Sequence, residues 1–168
     1  MSKIAAIVQE LENEAKTTRR VLERVPSDKL AWKPHAKSMS LGELALHVAM
    51  SPGVICGWAA QDVTQFTGEK MPAPASTEEI LAAHDRSVQT SKELLGQIGD
   101  AGLDKMWSAK AGDKTLMAMP KAALVRAIVM NHWIHHRGQL SVYLRLLDVP
   151  LPSIYGPSAD ENPFAARQ

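Results

Sequence analysis

Apolar residues recur along most of this chain at intervals of three and four, the period of a helix laid against a core. Four stretches carry the pattern. In the first, Ile4, Ile7, Val8, Leu11, Ala15, Val21, Leu22 and Val25 line one side, with Ser2 placed as a cap and Pro26 as a stop. The second opens on the capping box Ser40-Leu-Gly-Glu43 and sets Leu44, His47 and Val54 on one stripe. Pro52 either kinks this helix or starts a new one capped by Ser51; if the helix continues, Trp58 falls near the His47 face. A second box, Ser76-Thr-Glu-Glu79, precedes the third stretch, which runs to about Ile98 with Ile80, Ala83, His84, Val88, Leu94 and Leu95 on its apolar side. The fourth runs from Pro120 to Leu147 with no proline after its first position.

The connections read differently. Residues 26–38 hold Trp32, Pro34 and His35 and form a loop. Residues 65–75, with Gly68, Pro72 and Pro74, form another. Residues 99–119 are the least regular, an extended excursion with a short hairpin around Gly112-Asp113. After the fourth helix, Pro150, Pro152 and Pro157 forbid further helix, and the apolar tail Val149, Leu151, Ile154 and Tyr155 can pack back on the bundle. The expected fold is all-α: one four-helix-bundle domain over residues 1–168, with an irregular excursion before the last helix and a non-helical C-terminal tail.

Composition narrows the function classes. A net charge of +1 gives no basic field for nucleic acid or an anionic membrane. No apolar run is long enough to span a bilayer, and Met1-Ser-Lys-Ile4 lacks the apolar region of a leader. Cys56 is the single cysteine, set among Val54, Ile55 and Trp58, so it reads as an inert buried thiol in a reducing cytoplasm.

The chemistry gathers on the fourth helix. His132 and His136 lie one turn apart, and Gln139 follows on the same stripe, between Val125 and Ile128 on one side and Tyr143 and Leu146 on the other. Polar groups on a core-facing stripe cost free energy unless something satisfies them, and two imidazoles at that spacing suit a metal ion. The bland alternative is a pair of hydrogen-bonded core histidines. His47 adds a third imidazole on a facing helix. Three neutral imidazoles leave a coordination position open, which is the arrangement of a catalytic centre. His35 reads as exposed, and His84 as structural or exposed.

Ser40-Leu-Gly-Glu-Leu-Ala-Leu-His47 resembles the second-helix motif of the DinB-like family of metal-binding four-helix bundles, in the wider superfamily of DinB-like proteins and thiol transferases. Asn131-His-Trp-Ile-His-His-Arg-Gly-Gln-Leu-Ser-Val-Tyr-Leu-Arg145 resembles its fourth-helix motif, and Val149-Pro-Leu-Pro-Ser-Ile-Tyr-Gly-Pro157 its tail. The resemblance implies an up-down-down-up topology, a divalent metal, nickel or zinc, on His47, His132 and His136, and often a homodimer. His135 matches no ligand position. Superfamily relatives include transferases and isomerases that hold a small thiol on the metal, which makes a metal-dependent thiol S-transferase the leading expectation.

Two alternatives stand beside it: a metal-dependent hydrolase, and a non-catalytic, metal-bound, dimeric, stress-related binding protein. The fourth helix has no Glu beside its histidines, so the metalloprotease pattern is absent. A hydrolase would need a base from elsewhere, for which Asp160 and Glu161 are the candidates. Gln139 is expected to orient a ligand, Trp58 to line the pocket and Tyr155 to close its mouth. Arg126, Arg137 and Arg145 lie on the wrong side of the helix to hold a thiol's carboxylates. Met130, Trp133, Ile134 and Leu144 give the fourth helix a second apolar side, read as a homodimer interface.

Overall fold

The computed structural model describes residues 2–68 and 73–165, so part of the loop expected at 65–75, including Pro72, lies outside the described residues. Helix α1 spans Lys3–Leu22, α2 Leu41–Ala60 and α3 Thr77–Leu103. The last helix, α4, covers residues 121–146 in three parts: an α-helical turn Lys121–Leu124, a π-helical segment Val125–Asn131 and an α-helix His132–Leu146. α2 packs against α3 and α4, and α1 packs against the same two. Thr77 at the start of α3 bonds Val25 O just after α1, while Asp100 at its end accepts from Lys3 N and Ile4 N. Arg126 and Arg137 reach Glu10 and Glu14 in the same order along α1. These contacts set α1 and α4 running one way and α3 the other. Lys121, opening α4, meets Asp62, just past the end of α2, so α2 also opposes α4.

The caps follow the sequence. Ser2 Oγ accepts from Ala5 N, and Ser40 and Glu43 form both halves of their box. At α3 the box is split: Ser76 Oγ accepts from Glu79 N, but the Glu79 carboxylate reaches one residue further back, to Ala75 N. α1 stops at Leu22, short of Pro26, although Val25 remains buried. α3 passes Gly99 with a kink, because that residue sits at φ 62°.

α2 is continuous through Pro52, and the reason is visible around it. Proline cannot donate to the carbonyl four residues back, so Val48 O is free to accept the indole N–H of Trp133 at 2.9 Å. The break in α2 is thus satisfied by a side chain of α4. One residue on, Gly53 lets α3 come close: its N–H donates to Ser87 Oγ at 2.8 Å, and an added Cβ would meet Ser87 atoms at 2.9–3.0 Å.

The all-α expectation is corrected by a three-stranded mixed sheet. β1 (Val63–Gln65) runs parallel to β2 (Met106–Ala111), which pairs antiparallel with β3 (Lys114–Pro120) in the order β1-β2-β3. The hairpin turns at Gly112, held at φ 58°. Alternation is the physical cause: Trp107 and Ala109 point inward while Met106, Ser108 and Lys110 are more open. The Trp107 indole donates to Thr64 Oγ1 at 2.9 Å, joining β2 to β1. Among the described residues, no helix is long and apolar enough to cross a membrane.

Candidate metal centre

His47 stands on the seventh residue of α2, and His132 opens the α-helical part of α4 directly after the π-helical segment. A π segment widens the helix and shifts the angular position of the residues beyond it, and such segments are frequent at functional sites. Here it delivers His132 and His136 against α2. The imidazoles of His47, His132 and His136 converge, each offering one ligand atom within 4.8 Å of the others. His47 Nε2 lies 2.9 Å from His132 Nε2. Ring centroids are 4.4 Å apart for His47 and His136, and 4.3 Å for His132 and His136, edge to face.

The donor set fits a divalent metal. A four-coordinate ion about 2.0–2.1 Å from each imidazole nitrogen needs those nitrogens about 3.3 Å apart, a value inside the range the triad spans. Three histidines of this chain could therefore bind a metal. Their protonation agrees with that role. Burial, then the charges of His136 and His132, push His47 down to about 4. His132 is lowered by burial and by His136 and His135. His136 is lowered by burial, against the opposing hydrogen bond from Gln139. Neutral imidazoles with free lone pairs are the form that binds metal.

Gln139 Oε1 is 2.7 Å from His136 Nδ1. The ring then donates from Nδ1, and Nε2 is left bare on the triad side. His135 is exposed, with its ring 5.0 Å from that of His136.

The other candidates go elsewhere. Trp58 is eleven residues after His47, on nearly the same face of α2 but about 16 Å along its axis, and it packs edge to face on Phe66. Tyr155 donates to Glu14 Oε2 at 2.8 Å, and the Arg137 guanidinium lies 5.0 Å from its ring centroid, on the α1 side of α4. Asp160 is paired with Arg145 and Glu161 with Arg20, so the two proposed bases are tied into the tail. Arg126 and Arg137 are paired with Glu10 and Glu14, away from the triad. His35 is exposed and its Nδ1 accepts from Lys37 N. His84 is buried against α1 and Trp133, and burial lowers its pKa. Cys56 is fully buried and its thiol is pushed up to about 11 by desolvation, so it is no nucleophile.

Two further aromatic residues carried no site expectation. Trp32 and Tyr143 are half-buried and pack edge to face with centroids 5.8 Å apart. The available signal was Tyr143 at seven residues beyond His136. Of the residues read as a dimer interface, Met130, Trp133 and Leu144 are buried within the chain itself. A cavity of about 580 Å³ lies between α2 and α3, lined by Met50, Val54, Glu79 and Arg86 among others, and holds none of the three histidines.

Comparison with known proteins bears on this centre. A family model described as the DinB family matches residues 1–163. The uncharacterized protein YrdA of Bacillus subtilis (strain 168) is 28% identical over 152 residues, which is 89% of this chain and 86% of that protein. A crystal structure of a DinB-like protein from Bacillus cereus ATCC 10987 superimposes with a TM-score of 0.73 at 22% identity, over 92% of this chain and 100% of that one. A DinB-like protein from Bacillus subtilis, YjoA, gives 0.68 at 22% identity, over 89% and 96%. The likeness to the two crystal structures speaks for the fold.

Proposed function

Because the chain belongs to the DinB family, we propose that His47, His132 and His136 hold one divalent metal, nickel or zinc, and that the site serves a metal-dependent thiol S-transferase. The observation that carries the metal is the convergence of three imidazole ligand atoms within 4.8 Å. Imidazole donors suit both ions. When bound, such a metal lowers the pKa of a small thiol or polarises an acceptor oxygen.

The chain's own residues do the rest. Gln139 holds the His136 ring in one tautomer. Burial keeps all three imidazoles neutral at pH 7. The preference for a thiol brought from outside has two supports. Cys56 cannot supply one, being buried with a raised pKa. The hydrolase reading loses its proposed bases, since Asp160 and Glu161 are bound to arginines of α4 and α1.

A homodimer belongs to the same proposal, on a different face from the one the sequence suggested. Glu79 and Arg86, two turns apart on α3, flank the groove floored by Met50 and Val54. A twofold-related copy would set each charge against its opposite. Light scattering at micromolar concentration should give twice the chain mass; the mass of one chain would refute the dimer.

The test of the metal is elemental analysis of protein made without a polyhistidine tag. About one nickel or zinc per chain is expected, lost in His132→Ala and His136→Ala. Unchanged metal content in both variants would remove the site. For the transfer reading, a cobalt-substituted protein mixed with glutathione, bacillithiol or mycothiol should develop a sulfur-to-metal charge-transfer band. With metal bound and no band for any thiol, the transferase reading falls.

A further inference from the structure

The aromatic side chains of this chain divide by what their polar tips do. Trp107 and Trp133 are buried and donate inside the core, to Thr64 Oγ1 and Val48 O. Tyr155 donates to Glu14. Trp32, Tyr143 and Trp58 are half-buried, and among the described residues their indole N–H and phenolic O–H groups make no hydrogen bond, unlike those three. Trp58 packs on Phe66, about 16 Å along α2 from His47. The Trp32–Tyr143 pair packs its rings together, 5.8 Å between centroids, and leaves both donors open to solvent or to a ligand.

Their place in the fold names the ligand site. Tyr143 follows His136 by seven residues, so it lies on the same face of α4 about 10 Å further along. Side chains on a helix lean toward its N-terminus, which here is toward the triad. Trp32 is fixed from the other side: its carbonyl accepts from Leu41 N at 2.8 Å, in the first turn of α2. Leu41 precedes His47 by six residues, about 9 Å along α2. Because α2 and α4 run in opposite directions, both distances point to the same end of the seam that the triad occupies. Lys33, next to Trp32, is paired with Glu43 at 3.6 Å, so its charge is already matched within the chain.

We propose that Trp32 and Tyr143 form the wall that binds the apolar body of the molecule whose head reaches the triad's metal. This rests on the triad holding a metal. It makes the pair specificity-determining residues for the same site. The ligand class is a metal-binding head joined to a flat, uncharged ring system that extends about 10 Å from the metal. The free indole N–H and phenol O–H favour an acceptor atom on that body.

The test compares two hydroxamates on cobalt-loaded protein: acetohydroxamate, which is a head alone, and biphenyl-4-hydroxamate, which carries a flat tail. The biphenyl compound should bind at least about tenfold tighter. Trp32→Ala and Tyr143→Ala should each erase most of that advantage while leaving acetohydroxamate affinity within about twofold, and Trp32→Phe should keep most of it. Trp58→Ala, remote from the triad, should behave as the wild type.

A second measurement needs no variant. In zinc-loaded protein, the tail compound should shift the indole N–H resonance of Trp32 and leave those of Trp107 and Trp133 in place. Equal affinity for the two hydroxamates, an advantage that survives both alanine variants, or an unmoved Trp32 resonance would overturn the wall and leave the metal site standing. Wild-type protein that takes up no cobalt or zinc would overturn the metal reading, and the wall with it.

Discussion

Two faces of one helix, α4, carry polar groups in different settings, a buried arginine on one and half-buried histidines on the other. On the α1 side of α4, Arg137 is 1% exposed and its charge is matched within the chain through Nη1, while Nη2 has no hydrogen-bond partner among the described residues. It pairs with Glu14 at 2.6 Å, donates to Thr18 Oγ1 at 3.1 Å and stacks on Tyr155. On the α2 side, one residue earlier, the half-buried His136 faces the imidazoles of His47 and His132 and is hydrogen-bonded to Gln139. Buried charge that finds its opposite inside the fold is a strut. Imidazoles brought together with their lone pairs converging can share a hydrogen bond, as His47 Nε2 and His132 Nε2 do at 2.9 Å, and together they form a donor set that suits an outside cation. The same helix thus anchors the bundle with one face and presents a centre with the other.

The largest effect that would break this division is on the strut. Arg137→Ala removes a buried guanidinium and leaves the partly buried Glu14 carboxylate with only the Tyr155 hydroxyl. It should cost about 3 kcal/mol of stability, read as a lower urea midpoint. Metal per folded chain should be unchanged. A variant that folded normally but lost metal would blur the two faces into one.

Next comes the α2–α3 contact, which holds α2 in place from behind. Gly53→Ala puts a methyl within 2.9–3.0 Å of Ser87 atoms and should cost about 1–3 kcal/mol by overpacking. Thermal unfolding checks it; no change would mean that α2 shifts freely, and the triad's geometry would then not be fixed by this packing.

Gln139→Ala sharpens the centre side of the contrast. Its loss should weaken metal affinity about 10–100-fold with little effect on the stability of metal-free protein. Titration against a competing chelator measures it. Equal affinity in variant and wild type would mean that Gln139 does not orient His136.

The smallest effect is on pH. His47 is held near 4 in the folded chain, against about 6.5 in an unfolded one. A depressed pKa means that the unfolded state binds the proton first. Metal-free protein should therefore keep this contribution above about pH 6.5 and lose it as the pH falls toward 4. His47→Gln should flatten that part of the stability profile. An unchanged slope in the variant would place the titration elsewhere.

These residues also mark how far the sequence could be read. The helices and the triad were legible because their signals are local: capping boxes at Ser40 and Ser76, and imidazoles at helical spacing. The sheet was legible only as a hairpin near Gly112. β1 has three residues, too few for a period of two to register, and it exists because β2 offers it backbone partners. Met130, Trp133 and Leu144, read as an interface, are buried within the chain because α4 meets two neighbours, α1 and α2. A helix in that position is apolar on two sides without needing a second copy. Trp133 shows the point: its indole belongs to Val48 O, a carbonyl freed by a proline far away in sequence. The tail was expected to pack back, and does, but Tyr155 follows Glu14 to the α1 side instead of the triad.

The central claim is that His47, His132 and His136 form a single metal centre. A crystal grown from tag-free protein, with data collected on both sides of the nickel or zinc absorption edge, tests it most directly. One anomalous peak per chain is expected, about 2.0–2.1 Å from the three imidazole nitrogens, and no such peak at that place in His136→Ala. A metal-containing protein whose peak lies elsewhere, or a triad with no peak in metal-saturated crystals, would contradict it.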